Sequence, residues 1–188
     1  IVNEKGIQIL FQAAPKILAN YPNVKFVIAG RGPFMDELKA LADNLGISQK
    51  VYFTGYLNDV QITKMYKCID VATFPSLYEP FGIVALEGML AGAPTVVSDA
   101  GGLNEIVSHG IDGMKSYAGN PNSLADSILE VLFNESLCKQ IAKNAHEKVV
   151  KEFNWDTIAK NTMKVYKDTI KMSKANAKVK FAELANSE

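Results

Sequence analysis

The chain has 188 residues, 48% of them hydrophobic and 21% charged, and its acidic and basic side chains balance to zero net charge. That length suits one domain, or one domain with appendages, and the hydrophobic share suffices for a core. A pI near 6.9 leaves no basic excess to attract nucleic acid or an acidic membrane surface. No apolar run approaches the roughly 18 residues of a membrane span, and no signal peptide is visible, so the sequence reads as cytoplasmic.

Ile1-Val2 resembles the end of a strand, with no Met before it, which predicts a piece of a longer protein. Residues 4–20 read as one helix from the spacing of Ile7, Leu10, Phe11, Ala14, Ile17 and Leu18, kinked by Pro15. A strand is expected over 24–29, a loop at Gly30-Arg31-Gly32-Pro33, and a helix over 34–45 closed by Gly46. Next come a strand over 51–54, a loop at 55–58 ending in an N-cap, and a helix over 59–67. A strand over 70–74 precedes the central loop, and a helix from about Gly82 ends near Ala91-Gly92. Another strand is expected over 94–98, then a glycine loop over 99–102, a short helix to about Ser108, and a last strand over 113–117. Helices over 121–133, 136–153 and 155–172 complete the pattern. Strands alternating with helices predict a parallel sheet covered on both faces. Ligands of such sheets bind at the carboxyl ends of the strands, where Gly30, Gly55, Glu79 and Gly101 fall. Residues 171–188, rich in Lys, Ala, Ser and Asn, read either as a fraying helix or as a linker, and are set apart from a 1–170 domain.

The stretch Tyr78–Glu87, Y-E-P-F-G-I-V-A-L-E, organises the rest. Pro75-Ser76 break the strand before it, and Pro80 and Gly82 shape the turn into the helix. Helical side chains lean toward the N-terminus, so Glu87 is expected to point at the helix mouth beside Glu79. Free backbone N–H groups and the positive end of the helix dipole meet there, at Phe81-Gly82-Ile83. Such a mouth suits a phosphate. Two carboxylates beside an anion site suggest a ligand with phosphates and several hydroxyls.

Pro75, Ser76, Glu79, Pro80, Phe81, Gly82 and Glu87 match P-S-x-x-E-P-F-G-x-x-x-x-E. This resembles the Glu-x7-Glu motif of retaining glycosyltransferases with the GT-B fold, such as glycogen and starch synthases and sucrose-phosphate-synthase-like enzymes. The resemblance covers roughly residues 1–170 and implies the C-terminal, donor-binding half of a GT-B enzyme. It implies transfer of a hexosyl, weakly a glucosyl, group from a nucleotide-diphosphate sugar to a sugar or glycan acceptor. An N-terminal GT-B domain would be the missing partner, and the isolated domain is expected to be inactive.

The same resemblance distributes roles. Glu4-Lys5-Gly6 matches a family Glu-Lys-Gly segment whose Lys holds the donor diphosphate, while the family's preceding Arg would lie before Ile1. Glu79 would contact hydroxyls of the donor sugar and Glu87 the ribose. Gly30 sits in a loop similar to the family's G-x-G-P loop beside the donor. Gly55-Tyr56-Leu57 would border the nucleobase, although Tyr56 also reads as an ordinary turn residue. Gly101-Gly102 resembles the family's G-G-x-x-[DE] loop near the donor sugar and diphosphate, with Glu105 read rather as a first-turn helix charge. The helix around 153–170 resembles the family's C-terminal helix, with an apolar stripe of Phe153, Trp155, Ile158 and Val165 either exposed or folded onto its own domain.

Other chemistries lack their residues. Gly30-Arg31-Gly32 fails as a dinucleotide fingerprint because Met35 replaces its third glycine. His109 reads as a cap on helix-end carbonyls and His146 as part of a polar helix face; no Cys/His spacing suggests zinc, and Asp-x-Asp is absent. Cys68 and Cys138, both placed in helices, read as small core residues or free thiols. No cofactor is expected, the nucleotide-sugar being a substrate. The alternatives are a non-catalytic nucleotide-sugar-binding module, an oxidoreductase using NAD, and a GT-B epimerase.

Overall fold

The computed structural model describes the backbone of residues 1–185 and the side chains of residues 1–174. It falls into two compact units, Ile1–Lys148 and Val149–Glu188. In the first, strands and helices alternate: α1 (Ile7–Asn20), β1 (Phe26–Ala29), α2 (Met35–Asn44), β2 (Val51–Gly55), α3 (Asp59–Tyr66), β3 (Ala72–Phe74), α4 (Ile83–Leu90), β4 (Thr95–Ser98), α5 (Gly102–Ile106), β5 (Met114–Ser116) and α6 (Pro121–Phe133). Then come α7 (Glu135–Glu152) and, in the second unit, α8 (Trp155–Ala185).

All strand pairing is parallel, as the alternation predicts. β1 pairs with β2, and β3-β4-β5 form a separate three-stranded ladder. β4 lies at the centre of that ladder, and all four of its residues are buried. Its sequence, Thr95-Val96-Val97-Ser98, is buried at every position rather than at alternate ones, as expected of a strand covered on both faces, and the hydroxyls of Thr95 and Ser98 donate to the Ala93 and Ser76 carbonyls. The main core joins Phe11, Ile17, Leu38, Val96, Leu124 and Ile141, with α1 packed on α6. A smaller cluster of Tyr66, Ala72 and Ala93, with Phe74 beside it, joins α3 and β3 to the end of α4. Gly88 lets α4 approach closely: a Cβ there would stand 3.4 Å from Phe74 Cζ and 3.5 Å from Ala72 Cβ.

The differences from the sequence reading have local causes. The helix expected over 4–20 is split, because Gly6 sits at φ 69° between a short 3-10 turn, Asn3–Lys5, and α1. Pro15 lies inside α1, which continues through it. Ile1-Val2 pairs with no strand among the described residues. Strands are shorter than their apolar runs, since only the paired residues count: Ala72–Phe74 meets Thr95–Val97. Cys68 lies in the turn after α3 rather than in a helix; it and Cys138 are free thiols. α8 carries helix on through Ala185, into the stretch read as helix or linker; residues 186–188 lie outside the described residues. Trp155, Ile158 and Val165 are exposed. Among the described residues no helix is long and apolar enough to cross a membrane.

Candidate functional site

At the carboxyl ends of the strands, the loop that leaves β1 is bonded to the end of β2, and the loop that leaves β3 is bonded to the one that leaves β4. Gly30 follows β1, and its N–H donates to the carbonyl of Gly55, the last residue of β2, at 2.8 Å. Both glycines have positive φ, 122° and 71°. Tyr56 beyond them is two-thirds exposed and Leu57 half-buried.

The loop after β3 is fixed from three sides. Ser98 Oγ in β4 donates to the Ser76 carbonyl. The Leu77 N–H donates to the Glu4 carbonyl at 2.8 Å, which binds the loop to the 3-10 turn. Gly6 presses on its base, and a Cβ at Gly6 would stand 1.8 Å from the Pro75 oxygen. Only glycine fits there, and its φ of 69° asks for glycine too. Lys5 is thereby delivered to Glu79. Its Nζ lies 2.7 Å from Glu79 Oε2, between residues 74 positions apart. Ser76 Oγ donates to the same oxygen at 3.4 Å. Glu79 is only 7% exposed, while Lys5 keeps nearly half of its side chain in solvent. An ammonium has three N–H donors, so Lys5 can hold Glu79 and still offer protons to an anion.

Gly82 caps α4 at φ 99°. As the first residues of the helix, Ile83 and Val84 have no carbonyl one turn back to receive their N–H groups. Phe81 and Ile83 are exposed on either side of the buried Gly82. The Gly101-Gly102 pair packs on this loop. A Cβ at Gly101 would stand 2.2 Å from the Glu79 oxygen, one at Gly102 would stand 2.2 Å from the Phe81 oxygen, and Gly102 N–H donates to Glu79 O at 2.9 Å. The close approach these glycines permit is thus between two loops of the protein. Leu103 and Ile106 of α5 fill the space above Gly82.

Glu87 lies one turn inside α4 and is exposed. Partial burial of its carboxyl first, and then the Asp59 carboxylate of α3, hold that carboxyl above the ordinary value. Tyr66, also on α3, has its phenol pushed up to about 12 by burial and then by Glu87, and its OH donates to the Val84 carbonyl at 3.3 Å. The sequence reading missed Tyr66 and Asp59; the one local signal nearby was the Asn58–Gln61 capping box that starts α3. Of the two histidines, His109 differs from expectation. His109 Nδ1 accepts from the Lys115 N–H at 2.9 Å, rather than capping a carbonyl. His146 lies on an exposed face of α7, as read, and there it also reaches the Leu90 carbonyl at the end of α4.

Comparison with known proteins bears on the family and the fold. Residues 1–148 match the family of glycosyl transferases group 1. An uncharacterized glycosyltransferase of Methanocaldococcus jannaschii is 46% identical over 169 residues, covering 90% of this chain and 43% of that protein. A glycogen synthase of Mycobacterium tuberculosis is 33% identical, covering 87% of this chain and 39% of its own length. The chain thus spans less than half the length of these curated relatives. Among solved structures, Anabaena HepE in complex with UDP-glucose superposes with a TM-score of 0.80 at 28% identity, over 89% of this chain and 46% of that one. The C-terminal domain of a group 1 glycosyl transferase from Francisella tularensis, LpcC, gives a TM-score of 0.75 at 25% identity, covering 82% of this chain and 83% of that one. With its parallel strands, its glycine-pinned loops and these matches, the chain belongs to the glycosyl transferases group 1 family and has the Rossmann-like fold of the C-terminal half of a GT-B glycosyltransferase.

Proposed function

We propose that this chain is the donor-binding domain of a retaining glycosyltransferase. It moves a hexosyl group, glucosyl in the first instance, from a nucleotide-diphosphate sugar to a sugar or glycan acceptor. The observation that carries the reading is the meeting of Lys5 and Glu79 just ahead of α4, where a cation, a carboxylate and helix-end amides share one site. The UDP-glucose complex of the similar HepE supports the choice of donor.

Departure of the nucleotide breaks the bond between the anomeric carbon and the diphosphate. The electron pair stays on a phosphate oxygen. Lys5 and the amides at Gly82, Ile83 and Val84 are placed to stabilise that charge, and such preorganised donors supply much of an enzyme's rate. Retention follows if the acceptor hydroxyl attacks from the face that the diphosphate leaves, with the diphosphate oxygen taking its proton. Glu79 and Glu87 serve as acceptors for hydroxyls of the donor, Glu79 on the sugar and Glu87 on the ribose. Gly30 lies in a loop beside the donor, Gly55, Tyr56 and Leu57 border the nucleobase, and Gly101-Gly102 holds the loop that carries Glu79. Acceptor contacts fall to an N-terminal domain of a longer chain, so this chain by itself binds donor without transferring it.

Calorimetric titration with UDP-glucose, ADP-glucose and GDP-mannose, with NAD as control, tests the reading. Saturable binding of one sugar nucleotide, weakened in Glu87→Ala, is expected. Binding of NAD alone, or of nothing by this chain and by a longer parent enzyme, overturns it.

A further inference from the structure

The rear ends of α4 and α5 are held by side chains of α7. In the last turn of α4 the backbone satisfies most of its own carbonyls. Ala91 N–H donates to Glu87 O, Ala93 N–H to Gly88 O and Gly92 N–H to Met89 O. Leu90 O receives no backbone N–H among the described residues; its partner is the His146 imidazole, with Nδ1 2.7 Å away. A carbonyl oxygen only accepts, so the tautomer that fits carries its proton on Nδ1. α5 ends in the same way. Its Ile106 carbonyl accepts from Lys148 Nζ, and that ammonium also lies 2.9 Å from Asp112 Oδ2. His146 and Lys148 are two positions apart, so they leave α7 about 200° apart and serve neighbours on opposite sides.

We propose that His146 and Lys148 are positioning residues for the donor site, bracing from α7 the two helices whose front ends carry the Glu79 loop and the Gly101-Gly102 loop. The inference rests on the donor-site reading above. α4, eight residues long, spans about 12 Å as a rigid rod, so a loose rear end lets the front end pivot. The two loops are tied by the Gly102 N–H to Glu79 O bond, so movement of either helix reaches Glu79. The Lys148 ammonium at the C-terminal end of α5 also stands where the backbone dipoles favour a cation.

The test compares His146→Ala with His146→Asn in the full 188-residue chain. His146 is exposed, so its removal leaves no cavity, and the Asn amide nitrogen stands where Nδ1 stood and can still donate to Leu90 O. Hydrogen exchange of the α4 amides is read without ligand, and affinity is read with UDP-glucose, or with whichever sugar nucleotide the unaltered chain binds. His146→Ala is expected to speed exchange along α4 and weaken binding by up to about fivefold, the most that one lost hydrogen bond can transmit, with His146→Asn restoring both. Unaltered exchange and affinity in His146→Ala, or an Asn variant as weak as the Ala one, overturns the inference. An unaltered chain that binds no sugar nucleotide overturns the donor-site reading instead, and exchange still decides whether His146 braces α4.

Discussion

Among single residues, Glu87 is expected to carry a pH dependence in the acidic range. Its carboxyl is raised by burial first and by Asp59 second, so the folded chain keeps that proton at pH values where the unfolded chain has lost it. The contribution to stability is full below the ordinary carboxylate value and drains away as pH rises through the raised one. Glu87→Gln should therefore flatten the fall in stability over that window, read as urea midpoints at about pH 5 and about pH 7. In the proposed donor site a ribose hydroxyl is held more strongly by the charged carboxylate than by the neutral acid, the weaker acceptor. Nucleotide-sugar affinity should thus weaken as pH drops through the same window in the unaltered chain, and be low and flat in Glu87→Gln. A second residue-scale prediction concerns Gly6. Gly6→Ala forces a Cβ into the Pro75 carbonyl at a left-handed φ and should cost about 1–3 kcal/mol or more in thermal unfolding, together with donor affinity. Lys148→Met strands the buried Asp112 carboxylate, whose side chain is 7% exposed, and should cost about 3–5 kcal/mol in denaturant unfolding; adding Asp112→Asn should recover part of it.

Helices were more legible than strands at the scale of elements. α6 is framed by its own residues: Asn120 accepts from the Ser123 N–H at 3.0 Å, and Pro121 takes the first helical position. Asn120→Ala should cost about 1 kcal/mol in denaturant unfolding without changing donor affinity. Strand ends were less legible, because a ladder stops where its partner stops. Val71 belongs to the apolar run before the motif, yet only Ala72–Phe74 find partners on β4. The break at Gly6 was hidden because the apolar spacing of α1 runs smoothly up to it. The length of α8 was left open by a Lys- and Ala-rich stretch that suits helix without showing an apolar periodicity to prove it.

At the scale of the whole chain, binding should appear as stability. A nucleotide-sugar at a hundred times its Kd should add about 2.7 kcal/mol, read as a rise in the unfolding midpoint that NAD does not produce. Less than half of the length of the curated relatives named above is matched here.

The sequence by itself determined the alternation of strand and helix, the parallel sheet that follows from it, and the strand–loop–helix form of the Glu79–Glu87 stretch. These depend on hydrophobic period and on Pro and Gly conformations, which act over a few residues. Tertiary structure alone decided that Lys5 pairs with Glu79, that Gly101-Gly102 presses on the Glu79 loop rather than standing free, that the Asp59 carboxylate of α3 acts on Glu87, and that His146 closes the end of α4. Each joins residues brought together by strand order and helix packing, and no local pattern encodes which distant side chain will meet an unpaired carboxylate or carbonyl.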